Sequence, residues 1–332
     1  MNGGKQTIVF DKKAVIMSGY GIAGPKEKEG NLADFFDYII EDDTFGEKSY
    51  ERAECKMHLR AIESAIERAK LREEQIDVLL CGDLLNQIIS SSFTARELDI
   101  PFLGLYNACS TFGEALALGA ISISGGFMTK VSCSTSSHFS TAERQYRYPL
   151  ELGTQMTPTA QWTVTGSGCS ILSDTGEGPK ISSVTIGKVI DYGEIDANNM
   201  GAAMAPAAAS TIIAHLRDLG RMPDYYDMIL TGDLGIFGSE LVNKLTASEG
   251  IFIADRHEDC GKMIFKTEQT VRMGGSGAGC SSLVFNTYVL QKLRSGEIKK
   301  LLFVPTGALL SRESSLQGES IPSIAHAISI EV

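Results

Sequence analysis

Residues 77–84 read DVLLCGDL and residues 227–234 read DMILTGDL. The two stretches lie 150 positions apart and match in register at Asp77/Asp227, Leu80/Leu230, Gly82/Gly232, Asp83/Asp233 and Leu84/Leu234. Each is a short apolar run closed by a Gly-Asp pair, the pattern of a buried strand leading into a loop. A helical pattern precedes each copy at the same spacing. Cys55–Arg72 places Leu59, Ile62, Ala65, Ile66 and Ala69 on one face, and Ala205–Leu219 follows 150 residues later. A strand-helix unit repeated in letters and in order predicts an α/β chain of two similar halves descended from one duplicated fold.

Outward from these copies, the alternation continues. In the first half, Ala14–Gly19, Ile76–Cys81, Lys130–Ser134 and Trp162–Ser173 read as strands, Phe102–Tyr106 as a further apolar run and Thr94–Leu98 as part of a helix. The segment Cys109–Ser124 (CSTFGEALALGAISIS) is almost wholly apolar and reads as a helix buried on all sides. In the second half, Val184–Asp191, Tyr226–Leu230, Leu301–Val304 and Ile324–Ile330 read as strands and Cys280–Leu293 as an apolar-faced helix. Pro206 is expected in the first turn of its helix, where a missing N–H costs little. The halves are placed at residues 1–178 and 179–332.

The 332 residues carry 30 Lys and Arg against 41 Asp and Glu, a net charge of −11. No clustered basic patch stands out, which argues against a nucleic-acid partner. The N-terminal MNGGKQTIVFDKK lacks the apolar core of a secretory signal, and no apolar stretch is long enough for a transmembrane helix. The seven cysteines (55, 81, 109, 133, 169, 260 and 280) are odd in number and form no CxxC pair, as expected of reduced thiols packed in a core.

Chemistry concentrates at Asn107–Thr111 (NACST). A cysteine at the mouth of a buried helix faces free N–H groups, which favour a thiolate and can cradle a carboxylate or oxyanion. The same place also suits a small packing residue and an N-cap. Asp83 and Asp233 end their strands, where α/β folds bind ligands. Facing an anion, such an acid would be protonated by burial, hold loop N–H groups, or coordinate an accompanying Ca²⁺; the plain alternative is a helix cap. His138 follows a strand and is either near the pocket or a hydrogen-bonded structural residue. His58 and His215 are expected on helices and His326 in the core. His257, with Asp255, Glu258 and Asp259, reads as a solvated loop with a weak metal signature.

A nucleophile-like cysteine before a buried helix, in a duplicated chain, resembles thiolases and ketoacyl-acyl-carrier-protein synthases. The stretches 162–172 (WTVTGSGCSIL) and 304–310 (VPTGALL) resemble their glycine-rich strand and C-terminal glycine loop. At closer range, GDLLNQ at 82–87, YNACSTFGEAL at 106–116, SCSTSSHFSTAERQYRYP at 132–149 and MGGSGAGCSS at 273–282 resemble the stage V sporulation protein AD family. That resemblance spans essentially the whole chain. It implies a thiolase-like αβαβα layered fold with internally duplicated βαβαβαββ halves.

The resemblance also implies binding of dipicolinic acid (pyridine-2,6-dicarboxylate), its uptake into the spore and its release in germination. A homodimer is implied, attached peripherally to the spore inner membrane beside other stage V sporulation A proteins. Condensing enzymes of this fold add a His and a second His or Asn to the cysteine. The matching places, Thr231–Leu234 and Gly274–Ala278, hold neither. The expectation is therefore a binding protein on an enzyme scaffold, the alternative an acyltransferase with Cys109 as acyl-accepting nucleophile and His138 as an unusual electrophile. Expected ligand contacts are Cys109, Asp83, Asn86, Ser110, Thr111, His138, Asp233, Gly275 and Ser276, with backbone N–H groups of 274–279. Arg144, Arg147 or Arg312 would add a bidentate contact, and the 142–159 loop a cover. No resident metal or cofactor is expected, apart from a Ca²⁺ carried with the ligand.

Overall fold

In the computed structural model, which describes residues 4–146 and 156–332, the repeat becomes a symmetric sheet. The strands are β1 (Thr7–Ala23), β2 (Tyr38–Ile39), β3 (Val78–Gly82), β4 (Phe102–Gly104), β5 (Lys130–Ser137), β6 (Trp162–Thr163), β7 (Gly166–Ser173), β8 (Lys180–Thr185), β9 (Met228–Thr231), β10 (His257–Asp259), β11 (Gly275–Ser276), β12 (Lys300–Val304), β13 (Thr306–Ala308), β14 (Ser323–Ala325) and β15 (Ala327–Glu331). The main sheet runs β10-β9-β12-β15-β8-β1-β7-β5-β3-β4, with β2 beside β1. Its pairing is a palindrome. Parallel pairs β10–β9 and β9–β12 at one edge answer β4–β3 and β3–β5 at the other, and antiparallel pairs fill the centre.

The repeated aspartates show why the two copies fold alike. Asp77 bonds through its N–H to the Lys130 carbonyl and Asp227 to the Lys300 carbonyl, both at 2.9 Å. The Asp77 carboxylate accepts from the N–H groups of Thr129 and Lys130, and that of Asp227 from Lys299 and Lys300. Each acid thereby joins its strand to the start of the next parallel strand, satisfying amides that a strand terminus leaves open.

Helices α1 (Tyr50–Arg68), α2 (Ile89–Arg96), α3 (Thr111–Ser124), α4 (Phe139–Tyr146), α5 (Met200–Leu219), α6 (Gly235–Ser248) and α7 (Cys260–Ile264) are followed by α8 (Ala278–Val284), which continues through a π turn (Phe285–Val289) into α9 (Leu290–Ser295). α3 and α8 form a middle layer, with α1 outside the first-half strands and α5, with α6, outside the second. At the centre Phe112 of α3 meets Phe285 at 5.6 Å and Phe303 of β12 at 6.1 Å between ring centroids. All three rings are fully buried, and each is of the class whose truncation to alanine costs about 3–5 kcal/mol.

Several boundaries differ from the sequence pattern, each for a local reason. α1 begins at Tyr50 because Ser49 caps it, its hydroxyl accepting the Arg52 N–H at 3.3 Å. α5 begins at Met200, so Pro206 is its seventh residue and lies beyond the first turn. α3 leaves Leu118 37% exposed and is thus not buried on every side. The expected strand Val184–Asp191 is β8, ending at Thr185, after which Ile186 and Val189 emerge at the surface. The run Trp162–Ser173 divides into β6 and β7, and the final strand divides at His326 into β14 and β15. Among the described residues no helix is long and apolar enough to cross a membrane.

Candidate functional site

Cys109 sits on a short elbow ahead of α3. Ala108 holds a left-handed backbone (φ 49°), a conformation that costs a non-glycine residue about 1–2 kcal/mol and that its surroundings must enforce. Thr111 supplies part of that restraint. Its hydroxyl donates to the Ala108 carbonyl at 2.7 Å and accepts the Asn107 N–H at 2.9 Å. The Ser110 hydroxyl donates to the Pro305 carbonyl at 3.0 Å, tying the elbow to the loop after β12. Both hydroxyls are thus engaged in holding the cysteine in place.

The elbow delivers the thiol to Asp233. The Cys109 thiol stands beside the Asp233 carboxylate and each acts on the other's proton affinity, while the carboxylate accepts Thr306 Oγ1 at 2.6 Å, Ser276 Oγ at 3.0 Å and the Gly277 N–H at 3.1 Å. Gly277 has φ 110°, and a Cβ there would lie 2.8 Å from Ser137 Oγ, so the turn that aims its N–H requires glycine. Cys109 is 6% exposed and Asp233 1%. Burial pushes the Asp233 carboxyl up to about 6, against donors that lower it and a second acid, Asp259, that raises it. Burial also pushes the Cys109 thiol well above its usual value, and Asp233 adds to the effect. The expectation of a thiolate favoured by the helix N-terminus is overturned: desolvation and an adjacent acid outweigh the dipole.

The two repeated acids, alike in sequence, diverge in role. Asp83 accepts the N–H groups of Leu85 (2.8 Å) and Ser91 (2.7 Å) and so caps the start of α2. Its pKa is raised by burial, and the same burial brings Glu54 of α1 up to about 8 beside it. In the second half that capping task passes to Asp259, which accepts from Leu234, Gly235 and Lys262 N–H groups. Asp233 is thereby freed to turn toward Cys109. From the first repeat, Leu84 shares an apolar cluster with Cys109, Ala108, Ala142 and Ala278.

The remaining candidates scatter. Ser276 lies at the site, and the Gly275 carbonyl accepts Gln161 Nε2 at 2.9 Å. Of the backbone donors in 274–279, Gly277 serves Asp233 and Gly279 donates to Ser137 Oγ. Asn86 is exposed, its N–H donating to Gln145 Oε1 at 3.3 Å. Arg144 is ion-paired with Glu51, while Arg147 and most of the expected covering loop lie outside the described residues. Thr306 and Gln161 were not singled out by sequence, and Asp259 only as part of the weak metal signature around His257. The glycine loop VPTGALL carries Thr306, and only that motif hinted at it.

None of the five histidines is bonded to Cys109. His138 accepts the Ser140 N–H at Nδ1, so its Nε2–H donates to the Asp43 carbonyl at 2.8 Å; both nitrogens are committed. His326 accepts the Gly187 N–H at Nδ1, and its Nε2 lies 3.2 Å from the Asn107 side-chain amide nitrogen. His58 bonds Ser134, and His215 bonds Thr185 and Tyr226. His257 is a buried residue of β10 bonded to Thr231, not part of a solvated loop. Burial lowers the pKa of all five, so each ring is neutral near pH 7. Among the described residues no group of three or more His, Cys, Asp or Glu is placed to hold a metal.

The model of the family described as stage V sporulation protein AD matches residues 4–331. The chain is 44% identical over 328 residues to stage V sporulation protein AD of Bacillus subtilis (strain 168), covering 99% of this chain and 97% of that one. Among solved structures, 3-oxoacyl-[acyl-carrier-protein] synthase III of Aquifex aeolicus superposes with a TM-score of 0.60 at 12% identity, over 96% of this chain and 100% of that one. Acetamide-bound OleA of Xanthomonas campestris gives 0.62 at 13% identity, over 98% and 100%. At such identities the likeness establishes the thiolase fold and nothing about activity.

Proposed function

The chain belongs to the stage V sporulation protein AD family, and from that premise we propose that it binds dipicolinic acid without chemically transforming it, serving its uptake into the spore and its release in germination. The observation that carries the non-catalytic reading is the pairing of Cys109 with Asp233. A buried thiol whose pKa is raised, beside an acid and bonded to no imidazole, lacks the activation that acyl transfer needs. The ligand would occupy the region around Cys109, Asp233, Ser276 and the start of α3. Attachment to the spore inner membrane would run through partner proteins of the same sporulation stage. A homodimer would pair the open edge strand β4, where Leu103 (54% exposed), Phe93 and Tyr106 present apolar surface. A molar mass of one chain by light scattering at micromolar concentration would remove the dimer.

The direct test is titration calorimetry with dipicolinate, alone and with Ca²⁺. Saturable binding weakened by Cys109→Ala is expected; no saturable heat under either condition refutes the reading. Acyl transfer is tested separately by intact-mass spectrometry after incubation with acyl thioesters, where an acylated Cys109 would restore the enzymatic alternative.

A further inference from the structure

Among the described residues, the groups that act most strongly on the buried Asp233 carboxyl of the Cys109 site include no positive charge. The groups acting most strongly on Asp233 are the Thr306 hydroxyl from β13, the Cys109 thiol from the elbow, Asp259 from β10 and the Gly277 N–H at the start of α8, with Ser276 Oγ of β11 bonded beside them. Two further buried thiols, Cys260 of α7 and Cys280 of α8, feel the same acid. Every ionisable group in this set is neutral or negative. A dicarboxylate entering the site would add charge of the same sign to buried, water-poor surroundings, where like charges are most costly.

Resting on the proposed ligand, we propose that Asp233 takes up a proton when the dicarboxylate binds, so that occupancy of the site is proton-linked. Thr306 and Ser276 have rotatable hydroxyls and can turn to accept from the protonated acid, and a neutral Asp233 can itself donate to the ligand carboxylate. The geometry thus accommodates the extra proton without moving the backbone. Because free Asp233 titrates near 6, the competent protonated form thins out above that pH. Affinity is highest at acid pH and falls about fivefold from pH 6 to 7 and about tenfold from pH 7 to 8, roughly fifty-fold in all.

The test is calorimetry with dipicolinate at pH 6, 7 and 8, repeated in buffers of different ionisation enthalpy, on the wild-type protein and on Asp233→Asn. The expected result is uptake approaching one proton per site at pH 7 to 8 in wild type, and pH-independent affinity with no uptake in the variant. Wild-type binding that is independent of pH and buffer overturns the proton linkage while leaving dipicolinate as the ligand. Uptake that persists in Asp233→Asn also overturns it, by placing the proton elsewhere. No saturable binding at any of the three pH values overturns ligand and linkage together. If Asp233→Asn fails to fold, the buffer dependence of the wild type still decides whether a proton is taken up, and Thr306→Val, which removes the closest hydroxyl from Asp233, is expected to raise the midpoint of the affinity profile; an unmoved midpoint overturns the assignment to Asp233.

Discussion

Cys109 and Asp233 each make sense only through the other. The cysteine stands where a nucleophile would stand, yet its proton is held by burial and by the acid beside it. Replacing Asp233 with Asn removes the charge and keeps the shape. The expected outcome is faster alkylation of Cys109 by iodoacetamide at pH 8, by about tenfold for each unit the thiol pKa falls; the rate is followed by mass spectrometry of the Cys109 peptide. An unchanged rate would mean that burial alone sets the thiol. Sequence singled out Cys109 together with Asp83 and Asp233, and nothing in the repeated letters tells the two acids apart. The structure brings the thiol to the acid of the opposite half, since the ends of β9 and β12 and the elbow before α3 converge there.

At the scale of elements, the turn before α8 depends on its glycine. Gly277 and Gly296 both have positive φ (110° and 77°), but a Cβ would crowd Ser137 at Gly277 and meet nothing within 4 Å at Gly296. Gly277→Ala is expected to cost more than about 2 kcal/mol, combining backbone strain with the crowding, and Gly296→Ala about 1 kcal/mol. Urea unfolding of the two variants gives the comparison, and equal losses would contradict it. Element types were legible from periodicity, as α1 and α3 show; the ends were not. Ser49 lengthens α1 beyond its apolar stripe, and His326 interrupts the last strand by turning its ring to Gly187. Such ends are set by single hydrogen bonds, which leave no trace in an apolar pattern.

Across the whole molecule, the loop after β1 holds the halves together. Asn31 Nδ2 donates to the Phe265 carbonyl at 2.8 Å, Gln269 Nε2 donates to the Lys26 carbonyl at 3.0 Å, and between these contacts Glu27 is fully buried. One Glu27 oxygen accepts the Thr165 N–H at 3.0 Å. Burial raises this carboxyl from 4.5 to about 8. Between those values the folded chain keeps a proton that the unfolded chain has released, so stability falls as pH rises through that window and levels off above it. Glu27→Gln is expected to flatten this slope and to recover on the order of a few kcal/mol at pH 8 relative to its effect at pH 4.5. Thermal unfolding of both proteins across pH 4.5 to 8 measures it, and parallel pH profiles would count against Glu27.

The sequence by itself determined the duplication, the α/β class and the family. Repeated letters, short-range periodicity and motif spacing are properties of residues near one another in the chain, and the palindromic sheet follows from them. It also picked out Cys109 and Ser276. The tertiary structure decided which aspartate meets the thiol, that the thiol stays protonated, and that Asp83 caps a helix. Those outcomes depend on desolvation and on contacts between segments far apart in sequence, which exist only once α3 and α8 are packed between the two halves of the sheet.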